Sequence, residues 1–204
     1  PMSGYNEQSG DVTIEKHFKI YDHEEESNLP GVLSLLSVKF TTARGVAQNA
    51  DDAVFNKLGK SKVKATSDST RVVGGDIDDL TAYKQNEKQN LSAYWDDSCI
   101  EHLVNSYGTE FKKVIELGNE TPELLQQVSS TSSLLKAELV YGIREEMAEK
   151  LADVVMRRTE MGTADKPDSE TLLNSAKIMA AEKGWDQARI EKEIKEVDEI
   201  YQPG

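Results

Sequence analysis

At 204 residues the chain is long enough for one good core, and a formal net charge of −13 excludes a nucleic-acid surface built on clustered Lys and Arg. Charged residues make up 30% and hydrophobic residues 37%, yet the aliphatics recur in ordered patterns; this describes a helix-rich protein with solvated helix faces, not a disordered chain. The lone Cys99 excludes an internal disulfide and no apolar run reaches transmembrane length, so a cytoplasmic location is the expectation.

The opening Pro1-Met2-Ser3-Gly4-Tyr5 lacks the basic start and apolar stretch of a signal peptide, and proline ahead of methionine suggests a chain cut from something longer. Residues 1–10 read as a polar loop. From Asp11 to His23 the apolar positions Val12, Ile14, Phe18 and Ile20 are all even, which is strand periodicity. Glu24-Glu25-Glu26 and the residues to Pro30 make a turn, and Gly31 to Val38 suits a largely buried strand. Thr41 or Thr42 then caps a helix whose Val46, Ala50, Ala53, Val54 and Leu58 keep a 3.6-residue period, ending at Gly59.

Residues 61–96 read as a linker with a turn at Gly74-Gly75 and a weak helix from Ile77 to Asn90. Beyond it the chain reads as helix. Ile100, Leu103 and Val104 share a face closed by Gly108, Phe111 to Leu117 make another closed by Gly118, and Thr121-Pro122 starts the next. Leu135, Leu139, Ile143, Met147, Leu151 and Val154 trace a long stripe, with a break expected near Gly142. Asp168 and Asp186 cap the last two helices, and Arg189–Glu193, Glu191–Lys195 and Lys192–Glu196 are i,i+4 pairs on a solvated face. The expected fold class is mainly α: a small α/β remnant over residues 1–60, then a C-terminal α-helical domain over 97–204. Two strands alone do not make a stable sheet, so the front piece looks like the end of a larger domain.

Most catalytic signatures are missing. There is no GxGxxG, Walker motif, CxxC or HExxH, and His17, His23 and His102 lack metal-ligand spacing, so no metal is expected. One segment, Ser37-Val-Lys-Phe-Thr-Thr-Ala-Arg44, offers backbone N–H groups at a helix start beside Lys39 and Arg44, which suits an anion or a cofactor. The competing view is that the threonines only cap and the cations are solvated. Glu145, Glu146, Asp153, Arg157 and Arg158 read as a structural ion-pair network that could also hold one domain to another. Cys99 reads as an inert core thiol, and Trp185 as an anchor between the last two helices.

The stretch from Gly31 to Gly59, with its K-x-T-T-x-R block at Lys39 to Arg44, resembles the closing strand and helix of the FAD domain in FAD-dependent glycerol-3-phosphate dehydrogenases. Glu138-Leu-Val-Tyr-Gly-Ile-Arg-Glu-Glu146 and Leu151-Ala-Asp-Val-Val-Met-Arg-Arg-Thr159 resemble the E-x-x-Y-x-x-R-x-E and L-x-D-x-x-x-R-R-T patterns of that family's C-terminal helical domain, and His102 to Gly108 is a weaker match. The resemblance implies that the backbone at Val38 to Phe40 contacts FAD, with Thr41 in support. It also implies that Lys39 stabilises the negative charge developing at the flavin's N1–C2 edge. Lys16 is the nearest candidate for the substrate phosphate, though a lysine has no bidentate fork. Where the family usually has Gly-Gly or Gly-Val before the lysine, Ser37-Val38 stand here.

The implied parent reaction is oxidation of sn-glycerol 3-phosphate to dihydroxyacetone phosphate, FAD passing electrons to a quinone, with the protein peripheral to the inner face of the membrane. The partners implied are the missing N-terminal FAD domain, the substrate and the quinone; the piece by itself is expected to be inactive and not to retain FAD. Two alternatives stand beside this: a helical interaction or regulatory module, and a related FAD-dependent amine or hydroxy-acid oxidase.

Overall fold

In a computed structural model, residues 2–202 are described apart from 7, 15, 16 and 38. The chain divides into two units, residues 1–71 and 72–204. The division falls inside the stretch read as a linker.

The first unit opens with β1 (Met2–Tyr5), where a loop was expected, paired antiparallel with β2 (Val12–Ile14). A second hairpin joins β3 (Lys19–Asp22) to β4 (Leu33–Leu36), so the even-numbered apolar run serves two separate two-stranded sheets instead of one strand. Between β3 and β4 the acidic run forms a short helix, α1 (His23–Ser27), because the Asp22 carboxylate accepts the Glu24 N–H as an N-cap. Lys57 ties the end of α2 (Ala43–Lys57) back to this corner, 2.8 Å from Asp22 and 2.6 Å from Glu24.

β4 is not the buried strand its composition suggests. Leu33 and Leu36 are half-buried and Leu35 is exposed. Val46 of α2 is the one fully buried hydrophobic side chain described in this unit, while Leu29, Val32, Phe40, Val54 and Leu58 stay exposed. At roughly 25 cal/mol per Å² of apolar burial, so small a core gives this unit little stability of its own.

The second unit is all helical: α3 (Leu80–Leu91), α4 (Asp97–Tyr107), α5 (Phe111–Glu120), α6 (Lys136–Arg144), α7 (Leu151–Asp153), α8 (Ser169–Lys183) and α9 (Gln187–Ile200). Asp79, Asp96, Asp168 and Asp186 each cap a helix by accepting a backbone N–H three residues on. Its core has two clusters. Ile100, Leu103, Val104, Phe111 and Val114 of α4 and α5 pack on Leu135, Ala137 and Tyr141. Leu139 and Ile143, from the other side of α6, pack with Leu151, Val154, Leu172, Met179, Ile190 and Val197. Both clusters lie wholly inside this unit, which is the requirement for folding independently.

Two expectations need correction here. Gly118 does not end α5, which runs on to Glu120; Gly118 is in mid-helix because a Cβ there would overlap the Leu125 side chain. The break in the long stripe comes after Arg144, near Gly142 as expected, and Gly142 itself sits inside α6 against Arg158. Glu193 does not lie on a solvated face: it is 1% exposed and accepts the Leu151 N–H at 2.8 Å, while still meeting Arg189 at 2.6 Å. Trp185 packs against the α8–α9 cluster with the Arg189 guanidinium 5.5 Å from its ring centre.

Candidate functional site

In the first unit, the chain leaves β4 and turns into α2 through a 3-10 turn, Phe40–Thr42. Lys39 just before it is extended, and its carbonyl accepts the Thr42 N–H at 3.2 Å, the Thr42 hydroxyl at 2.9 Å and the Ser37 hydroxyl at 3.4 Å. Those three bonds fix the backbone and leave the Lys39 side chain exposed, with no ion-pair partner among the described residues. Phe40 is fully exposed and Thr41 is exposed beside it. Val38 and Lys16 lie outside the described residues.

Lys39 stands on a ridge between two clefts. One, of about 480 Å³, gathers His17, Phe18, Lys39, Thr41 and Arg44. The other, of about 390 Å³, is an apolar shelf of Leu35, Phe40, Ala43, Val46 and Ala47 with Lys39 at its rim. Arg44 is held by Gln48 at 3.4 Å and Ser67 at 3.2 Å. The arrangement suits an anionic group on one side of the lysine and a flat apolar one on the other. His17 and Phe18 were not singled out as site residues by the sequence; only the hairpin geometry brings them to Lys39.

The second unit holds a polar cleft of about 430 Å³ where α4 meets the segment after α7. The second half of α4 contributes His102, Asn105 and Ser106 at i, i+3 and i+4. His102 Nε2 is 2.8 Å from Glu138, whose side chain is fully buried in α6 and also accepts the Leu135 N–H at 2.8 Å. That carboxylate raises the His102 pKa above its ordinary value, against the opposing effect of burial. Burial, and then the same carboxylate, push the Cys99 thiol up to about 11, as an inert thiol requires.

After α7 the chain widens into one π-helical turn, Val154–Arg158, closed by the Thr159 N–H and hydroxyl on the Val154 carbonyl at 3.1 and 2.8 Å. The extra residue turns Arg158 back onto α6, where its Nε donates to the Glu146 carbonyl at 2.7 Å and its Cβ lies 3.3 Å from where a side chain on Gly142 would begin. Arg157 is exposed and pairs with Asp153 at 3.1 Å. The acid–base motif is therefore only partly an ion-pair network, and Arg144 departs to a bidentate pair with Glu182 at 2.7 and 2.8 Å. Among the described residues no group of three His, Cys, Asp or Glu side chains could hold a metal ion, and no helix is long and apolar enough to cross a membrane.

Residues 65–190 match the protein-family profile described as the C-terminal domain of alpha-glycerophosphate oxidase. The chain is 26% identical over 192 residues to a glycerol-3-phosphate dehydrogenase of Synechocystis, covering 93% of this chain and 34% of that protein. It is 24% identical over 195 residues to a mitochondrial glycerol-3-phosphate dehydrogenase of Arabidopsis thaliana, covering 89% and 31%. A glycerol-3-phosphate dehydrogenase 2 of Mycobacterium tuberculosis is 25% identical over 170 residues, covering 80% and 28%. The chain thus spans about a third of the length of the curated relatives it matches.

Proposed function

From a chain that belongs to the family of the alpha-glycerophosphate oxidase C-terminal domain, we propose that it is the C-terminal portion of a flavoprotein oxidising sn-glycerol 3-phosphate to dihydroxyacetone phosphate with FAD, with electrons passed to a quinone. The observation that carries the reading is the unpaired Lys39 at the rim of an apolar shelf, on a backbone already fixed by its own carbonyl.

The residues fit a flavin's edge. Leu35, Phe40 and Ala43 offer apolar surface to a planar ring, and the Lys39 ammonium would balance negative charge at the N1–C2 carbonyl edge. The flavin itself supplies the hydride acceptor. Thr41 and the backbone at Phe40 would support that edge, and Ser37 is accommodated through its bond to the Lys39 carbonyl. The neighbouring cleft with His17, Lys39 and Arg44 has the charge for a phosphate. Residues 1–60 form part of the flavin domain, whose remainder would cover the exposed apolar side chains described above. By itself the chain is inactive and does not retain FAD, and the whole protein works at the inner face of a membrane.

The self-contained core of residues 72–204 favours one second reading, a helical interaction module acting apart from any flavin chemistry. Anaerobic mixing of the purified full-length protein with glycerol 3-phosphate separates the two. Bleaching of a flavin absorbance band supports the dehydrogenase, and Lys39→Met should slow that bleaching by roughly 100-fold. A well-folded protein without flavin would overturn it. A bound flavin that glycerol 3-phosphate leaves unbleached would point to another hydroxy-acid or amine substrate.

A further inference from the structure

The α4 cleft of the second unit holds more hydrogen-bonding capacity than its own residues use. Arg158 donates through Nε to the Glu146 carbonyl, which fixes the guanidinium plane and leaves both terminal nitrogens as a forked donor. Asn105 and Ser106, both exposed, make no side-chain hydrogen bond among the described residues, and the Glu146 and Glu160 carboxylates likewise make no hydrogen bond or close ion pair there, Glu160 acting on His102 only through its charge. His102 is already engaged by Glu138, and Arg157 by Asp153.

The mixture of signs decides between occupants. A small oxyanion would gain the Arg158 fork but sit beside two carboxylates that no hydrogen bond engages, so its attraction is largely offset. A polypeptide surface carrying both charges satisfies the fork, the amide and the carboxylates together, as mixed-charge interfaces do. The relatives are about three times as long as the matched region, and their match runs through both units. Most of such a protein therefore lies outside this chain. We infer that the α4 cleft seats a segment of the flavin-binding part of the same polypeptide that lies outside residues 1–204, presenting a carboxylate to Arg158 and a basic side chain to Glu146. This rests on the reading of the chain as part of a longer flavin dehydrogenase.

Hydrogen exchange on the full-length protein and on residues 72–204 alone tests it. Peptides covering 102–108 and 157–162 should exchange at least about tenfold more slowly in the full-length protein. Ser106→Trp places a bulky side chain in the cleft at an exposed position; it should leave the melting of the isolated unit unchanged and remove the extra protection in the full-length protein. Equal exchange in the two parent proteins overturns the inference, as does protection that survives Ser106→Trp. Protection of the isolated unit by millimolar inorganic phosphate alone, matching that of the full chain, also overturns it in favour of an anion site. Flavin bleaching on the same preparation keeps the two readings apart. Cleft protection without flavin sustains the docking and removes the dehydrogenase, whereas bleaching with equal exchange does the reverse.

Discussion

Replacing Glu138 by alanine should be among the most damaging single changes available in the second unit. Its side chain is wholly buried, and its two oxygens are used by the Leu135 N–H and by His102, each at 2.8 Å. Alanine leaves a buried N–H without an acceptor and a half-buried imidazole without its counter-charge. Losing one partner of such a buried pair costs roughly 3 to 5 kcal/mol. For a helical unit of this size each kcal/mol moves the melting temperature by about 3 to 4 °C, so Glu138→Ala should melt roughly 10 to 20 °C below the parent. Glu138→Gln keeps the shape and the bond to Leu135 but not the charge, and should fall by less. The folded His102 pKa lies above the ordinary 6.5, so the pair's contribution is complete below that pH and is lost as pH rises through the folded value. The gap in melting temperature between parent and Glu138→Gln should therefore be widest near pH 6 and close as pH rises through the raised value. Circular dichroism melts across that range provide the measurement. A Glu138→Ala protein melting within about 2 °C of the parent, or a gap that does not narrow with pH, would refute the reasoning.

Three further outcomes follow from the geometry. Gly118→Ala forces a methyl into the Leu125 side chain and should destabilise by about 1 to 3 kcal/mol, read by urea titration of residues 72–204. The Asp168 carboxylate accepts the Thr171 N–H and the hydroxyls of Thr131 and Thr171, which hold its pKa well below the usual 3.8. Its stabilisation is present above that pH and disappears as pH falls through the depressed value, so Asp168→Asn should melt lower at pH 6 and converge with the parent in strong acid. Arg144→Ala, at a half-exposed pair with Glu182, should lose no more than about 1 kcal/mol despite the good bidentate geometry.

How far the sequence could be read depended on how local the cause was. The caps Asp96, Asp168 and Asp186 and the stops at Gly108 and Gly184 act within one helical turn, and those boundaries were visible in the residues. The front strands were not, because the same alternation of Val12, Ile14, Phe18 and Ile20 fits one strand or two, and only pairing partners decide. Gly118 looks like a terminator until Leu125 is seen against it. Glu193 has perfect i,i+4 spacing to Arg189, yet the Leu151 N–H, 42 residues away, determines where it goes. Around the candidate site, the strand-to-helix junction that carries Lys39 was legible in the sequence, while its use by a cofactor stays a proposal; the α4 cleft was not legible, since it needs the π-helical turn, and no residue type announces one.

Helix α6 is buried over its whole circumference from Ala137 to Ile143, giving Ala137 and Tyr141 to one core cluster and Leu139 and Ile143 to the other. The second unit consequently has no seam along which half of it could melt while the other half survives. Heat should unfold it in a single cooperative step, with the amides of α6 the last to exchange with solvent; a chain cut anywhere inside that helix would lose both clusters at once.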